Sequence, residues 1–242
     1  MDLVLDVAGL KKKYKETEAV KGISFSVKRG EIFALIGPNG AGKTTTLRVI
    51  STLLKPTSGH VQVDGMDVVK DAIKVRERIS YLPEEAGAYK NMTGAGYLSF
   101  MASLFFDNTE KQKRQIKYAM ELTDLRDRLS DKIGSYSKGM TRKLLIARAV
   151  MTEPVLAILD EPTSGLDILN ALEVRKTIKT LAKEGVSFLV SSHNMLEIEY
   201  ISDRVGIIDK GILHITGTSA ELKEKYSANN LEEAFAKVVT GE

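Results

Sequence analysis

The chain has 242 residues, no cysteine and three histidines, which excludes disulfide, thiol-redox and Cys-zinc chemistry and disfavours a His-built metal cluster. Its hydrophobic share of 43% and charged share of 28% are those of an ordinary globular protein, long enough to bury a core without covalent staples. The net charge of +3 is too small to argue for a nucleic-acid partner, and the basic run Lys11-Lys12-Lys13-Tyr14-Lys15 alone does not change that.

Leu3, Leu5 and Val7 suggest a first strand. Ile23, Phe25 and Val27 alternate with Ser24, Ser26 and Lys28, the period-two pattern of a strand with one wet face. Val61-Gln62-Val63, between Gly59 and Gly65, reads as a third strand, and the three together predict an antiparallel sheet. Ile32-Phe33-Ala34-Leu35-Ile36 is continuously apolar, as a strand buried on both faces should be. Val155 to Leu159 and Phe188 to Val190 share that character. Helical segments separate them, so a parallel core sheet with crossover helices is expected.

From Thr93 to Met151 the pattern turns helical, which predicts an inserted helical subdomain. Its aromatics include Tyr97, Phe100, Phe105 and Phe106, and helical stripes usually face a core, so Phe100 and Phe105 are assigned to the insert's own core. Val205 to Ile208, the turn Asp209-Lys210-Gly211, then Ile212 to Ile215 read as a hairpin. Asn230 with Glu233 three residues on resembles a capping box opening a last helix, with Leu231, Phe235 and Val238 on one face.

Two segments carry chemistry. Gly37-Pro38-Asn39-Gly40-Ala41-Gly42-Lys43-Thr44, followed by Thr45, fits the pattern G-x-x-x-x-G-K-S/T without a mismatch. It follows a buried strand and precedes a helix carrying Leu47, Ile50, Leu53 and Leu54, the context that makes the pattern a phosphate loop. Glycines let the backbone wrap phosphate, and successive N–H groups with the helix N-terminus face the anion. Lys43 is expected to reach the β- and γ-phosphates of a nucleotide, with Thr44 on Mg²⁺. The second segment, Val155 to Glu161, ends a buried strand in two carboxylates. At the C-terminal edge of a parallel sheet such acids sit in the ligand crevice. Asp160 suits Mg²⁺, and Glu161 could polarise an attacking water as general base.

With these residues in place the sequence resembles the ATP-binding subunits of ABC transporters over nearly its whole length. Ser137-Lys138-Gly139-Met140 stands where that family has its signature, usually written S-G-G-Q after a leucine. Ser164-Gly165-Leu166-Asp167 matches the D-loop, His193 the switch histidine, and Tyr14 the aromatic that stacks on adenine. Two departures stand out. Lys138 and Met140 replace the usual Gly and Gln, and Glu84 follows Pro83 where the family places a Gln that ligates Mg²⁺. Both variants, and the Asn230–Val239 tail, resemble the branch of ABC-2 type exporters that includes sodium and drug efflux ATPases.

The resemblance implies a P-loop NTPase fold with a RecA-like α/β core. Residues 1–90 and 152–220 would form that core with its antiparallel β edge, 91–151 the helical subdomain and 221–242 a helical tail. It implies an ATPase whose two copies, identical or closely paralogous, sandwich two MgATP, with each Ser137 facing the other subunit's phosphate loop. The loop from Pro83 to Tyr89 would dock a separate transmembrane permease. No apolar stretch approaches the ~20 residues that cross a bilayer, and Met1-Asp2-Leu3-Val4 opens no secretory pattern. The expected location is therefore cytoplasmic, on the inner face of the cell membrane through that permease. A DNA-linked ATPase of the same family would need a long coiled coil, and Gly42 to Ser137 shows no sustained heptads. A soluble clamp of the kind used in cluster assembly remains the alternative.

Overall fold

A computed structural model describes residues 2–241. Strands β1 (Leu3–Tyr14), β2 (Thr17–Lys28), β4 (Ser58–Val63) and β5 (Met66–Asp67) form an antiparallel sheet in the order β2-β1-β4-β5. The alternation in β2 buries Ile23, Phe25 and Val27 as the pattern predicts. In β1 it does not hold from the start. A register shift between Leu3 and Leu5 leaves Leu3 exposed and turns both Val4 and Leu5 inward.

The second sheet has the order β10-β9-β3-β8-β7-β6. Its strands are β3 (Ile32–Ile36), β6 (Ile79–Leu82), β7 (Leu156–Asp160), β8 (Ser187–Ser192), β9 (Arg204–Asp209) and β10 (Ile212–Gly217). All are parallel except the β9–β10 hairpin, whose two-residue turn holds Lys210 and Gly211 at φ of 46° and 82°. β3 is buried throughout, and its residues divide by parity. Ile32, Ala34 and Ile36 enter one core cluster and Phe33 and Leu35 the other. One cluster lies between the two sheets with α1 (Lys43–Ile50) and Val75, the other between the parallel sheet and the later helices.

Short α2 (Ala72–Arg76) precedes β6. The helical lobe falls between β6 and β7 as α3 (Gly94–Phe105), α4 (Thr109–Thr123) and α5 (Lys138–Val150). α6 (Ile168–Lys183) and α7 (Met195–Ile201) make the later crossovers. The chain ends in α8 (Ser219–Lys225) and α9 (Leu231–Thr240).

Two expectations are corrected here. Phe100 and Phe105 are 39% and 52% exposed, so neither belongs to the insert's core. Phe100 follows Leu98 by two residues and so lies on the opposite side of α3. At the helix end the backbone turns extended at Phe106, which packs on the core and leaves Phe105 outside. The second concerns α9. Asn230 Oδ1 accepts from Glu233 N, but the Glu233 carboxylate accepts from Asn229 N rather than closing a box on Asn230. The reciprocal box occurs instead at α8, between Thr218 and Glu221.

Candidate active site

The site forms where β3, β8 and β7 end side by side. The phosphate loop leaves β3, Asp160 and Glu161 close β7, and β8 between them carries Ser191 and Ser192 into His193. The loop's shape depends on glycine at two positions. A Cβ on Gly37 would lie 2.0 Å from the Ile208 carbonyl oxygen. Gly42, the residue before α1, has φ of 104° and faces the Ala19 carbonyl at 2.6 Å from a would-be Cβ. The hairpin turn braces the loop from behind, because Gly211 N donates to Ala41 O at 2.9 Å and Lys21 N to Gly211 O at 2.8 Å.

Pro38, Asn39, Gly40, Ala41, Gly42, Lys43, Thr44 and Thr45 line a cavity of about 160 Å³, together with Ala19, Glu84 and Glu161. Lys43 is 5% exposed, and its Nζ donates to the carbonyls of Gly37 at 2.7 Å and Pro38 at 3.2 Å. It lies 3.5 Å from Glu161 Oε1. Asp160, 2% exposed, accepts from Ser191 Oγ at 2.5 Å and Thr44 Oγ1 at 3.2 Å. Tyr81 OH approaches its other oxygen at 3.4 Å, and burial followed by the Asp160 charge pushes the Tyr81 phenol above its ordinary pKa.

Glu161 is held in a left-handed backbone conformation at φ of 48°, a costly geometry for a side chain with a Cβ. Its N–H is fixed by both the carbonyl and the hydroxyl of Ser191. Its Oε2 meets His193 Nδ1 at 2.9 Å, while Oε1 is buried without a hydrogen-bond partner among the described residues. Glu84 also lines the cavity, and its Oε1 accepts from Ser164 Oγ of the D-loop at 2.9 Å.

The other expected residues lie elsewhere in the chain. Ser137 caps α5 by accepting from Met140 N at 3.1 Å. Gly139 packs so closely on α6 that a Cβ would lie 2.2 Å from Asn170 Cγ, and Gly165, at φ of 64°, lies under Lys138 Nζ. Leu166 is partly buried against the core, and Asp167 caps α6. The Asn170 N–H bond keeps the Asp167 carboxyl below its usual pKa. Neither the signature residues nor the exposed Tyr14, with Lys12 Nζ 5.1 Å from its ring centre, line the phosphate cavity. Sequence reasoning assigned no role to Ser191, Tyr81 or Arg142, all of which contact site residues across long stretches of chain. The two serines that end the buried strand β8 were the local sign of one of them.

Residues 20–164 match the family model described as ABC transporter. The chain belongs to that family. It is 36% identical over 228 residues to the linearmycin resistance ATP-binding protein LnrL of Bacillus subtilis, covering 94% of this chain and 73% of the relative. It is 37% identical over 231 residues to the ABC transporter ATP-binding protein NatA of the same organism, covering 95% and 94%. A solved ATP-binding subunit of an ABC transporter superposes with a TM-score of 0.86 at 28% identity, covering 98% and 99% of the two chains. The fold is accordingly that of a P-loop NTPase with an antiparallel β subdomain and an inserted helical subdomain. Among the described residues no helix is long and apolar enough to cross a membrane.

Proposed function

We propose that this chain is the ATP-hydrolysing subunit of an exporter, closing in pairs on two MgATP to drive a separate transmembrane permease from the inner face of the cell membrane. The observation that carries the chemistry is Glu161. One carboxylate oxygen is tied to His193, and the other is buried without a hydrogen-bond partner, at the edge of the phosphate cavity beside Lys43. A carboxylate so held can take a proton from a water aligned on a γ-phosphate, with His193 fixing its orientation.

Lys43 has its charge close to the loop carbonyls and can exchange those contacts for phosphate oxygens. The loop N–H groups would cradle the same phosphates. Thr44 Oγ1 and Asp160 Oδ1, 3.2 Å apart, are hard oxygen donors of the kind that, with phosphate and water, hold Mg²⁺, and Glu84 lines the same cavity. Bound there, Mg²⁺ would supply charge neutralisation at the phosphates. Tyr14 would stack on the base.

Pairing is supported by the signature's position. Ser137 and Gly139 lie away from the chain's own phosphate cavity, so a second copy would have to bring its signature to it. Docking of a permease is supported by an apolar groove. Leu53, Ile73, Leu104 and Phe105 are each more than half exposed, and Phe105 lines a cavity of about 290 Å³ that reaches Tyr81. Tyr81 in turn approaches Asp160, a short path between groove and site. The exporter direction follows the linearmycin-resistance relative and the two sequence departures.

Glu161→Gln tests the reading. It should bind ATP with Mg²⁺ yet lose roughly 10²–10⁴-fold in hydrolysis, measured as phosphate release. Hydrolysis at the rate of the unaltered chain would remove Glu161 from the base role.

A further inference from the structure

One buried cation has no part in the chemistry just described. Arg142 lies on α5 one turn beyond the signature and is only 5% exposed. Its Nη2 donates to the backbone carbonyl of Glu84 at 2.9 Å, 58 residues earlier in the chain. Its Nη1 is buried without a partner among the described residues. Burial pushes the guanidinium below its ordinary pKa, and only the Glu84 charge opposes that shift. A buried guanidinium with an unused N–H is costly. The contact it makes is to the one loop residue that both lines the nucleotide cavity and grips the D-loop.

Glu84 thus joins three segments. Its carbonyl is held by α5, its carboxylate accepts from Ser164 of the D-loop, and it borders the phosphate cavity. The signature also touches the D-loop directly, through Lys138 against Gly165, and packs on α6 through Gly139 against Asn170. We propose that Arg142 is a positioning residue that fixes the Glu84 segment, so that the Glu84 carboxylate is divided between the Ser164 hydroxyl and the nucleotide cavity. Arg142 touches no reacting atom; it acts through Glu84. The link to metal rests on reading the cavity as a MgATP site, while the link to Ser164 does not.

Because the chain has no cysteine, Ser164→Cys places a single thiol at this junction. A carboxylate beside a thiol disfavours its thiolate, so alkylation there should be slow. Adding Arg142→Met, or Arg142→Gln should the apolar replacement fail to fold, should release Glu84 and speed alkylation roughly tenfold, the equivalent of about one pKa unit. Arg142→Lys keeps a cation and a donor and should restore the slow rate. Glu84→Gln should speed alkylation by itself and leave nothing for Arg142→Met to add. Equal rates with and without Arg142 would overturn the proposal. In a second measurement, binding of a fluorescent ATP analogue is titrated with Mg²⁺. Arg142→Met should raise the midpoint about tenfold, as for one lost charge-assisted contact, and should be non-additive with Glu84→Gln. Independent, additive shifts would count against it. Should the unaltered chain bind no nucleotide at all, the functional reading fails while the alkylation rates still decide the role of Arg142.

Discussion

At the scale of single residues, the site is held together by groups that do no chemistry themselves. Ser191 donates to Asp160 and accepts from the Glu161 N–H, so one hydroxyl holds the Asp160 carboxylate and the Glu161 backbone. Ser191→Ala removes a charge-assisted bond and leaves Asp160 with two longer contacts. It should cost about 1–3 kcal/mol of stability in urea unfolding. Unchanged unfolding would mean that water replaces the hydroxyl. Tyr14 presents the opposite case. It is 42% exposed, with Lys12 Nζ over its ring, so Tyr14→Ala should leave folding nearly untouched. If the ring stacks on adenine, the same change should weaken ATP binding by about 1–3 kcal/mol in calorimetry, and discrimination against GTP should be weak. An unaltered affinity returns Tyr14 to the surface. The difference between these residues explains what the sequence could reveal. The phosphate loop is contiguous and works through backbone, so eight letters define it. Ser191, Tyr81 and Arg142 act on partners up to 79 residues away, and beyond the serines that end β8 nothing local announces such contacts.

At the scale of elements, periodicity succeeded where an element has two clear faces. β3 is apolar at every position because both its faces meet a core, and β2 alternates because one face is wet. α3 misled because its aromatic residues are not all on the buried stripe. Tyr97, Leu98 and Ala102 are buried, whereas Phe100 sits beside exposed Tyr89 with ring centres 5.9 Å apart. A composition rich in aromatics cannot say which are core and which are surface. The terminal helix α9 is the reverse, a short element whose N-cap residue and apolar face read correctly although its capping box does not close. Asn230 caps it, Leu231 and Val238 are buried, and Phe235 packs partly buried against the same core. Leu231, 0% exposed, joins the same core cluster as Leu222 of α8 and Val205 and Ile207 of β9. Leu231→Ala should therefore destabilise the whole chain by about 2–5 kcal/mol, and Asn230→Ala by about 1 kcal/mol. Urea unfolding followed by circular dichroism separates the two. A tail that merely hangs from the core would give a Leu231→Ala curve superimposable on that of the unaltered chain.

At the scale of the whole molecule, the phosphate cavity and the signature residues lie apart on one chain. The phosphate cavity opens at the strand ends, while Ser137 and Gly139 begin α5 elsewhere. Immediately after the D-loop, Ile168 and Leu169 open α6 at 81% and 73% exposed, an apolar pair at a helix start that the fold itself does not cover. A second copy that brought its signature to the cavity would carry its D-loop and this pair toward the join. Burying two such side chains contributes about 1.5–3 kcal/mol each, enough to matter in a weak, nucleotide-dependent pairing. The association should be captured in Glu161→Gln, where closure is not followed by hydrolysis. With MgATP that variant should sediment at about twice the 26.6 kDa of one chain, and at the single mass without nucleotide. Adding Ile168→Glu sets a carboxylate against its own counterpart or against apolar surface, and either costs more than the exposed leucine or isoleucine gains. The double variant should remain monomeric with MgATP while retaining nucleotide binding, since Ile168 is absent from the cavity lining. Sedimentation as a dimer despite Ile168→Glu would place the join on another face and leave the exposed pair without a role in closure.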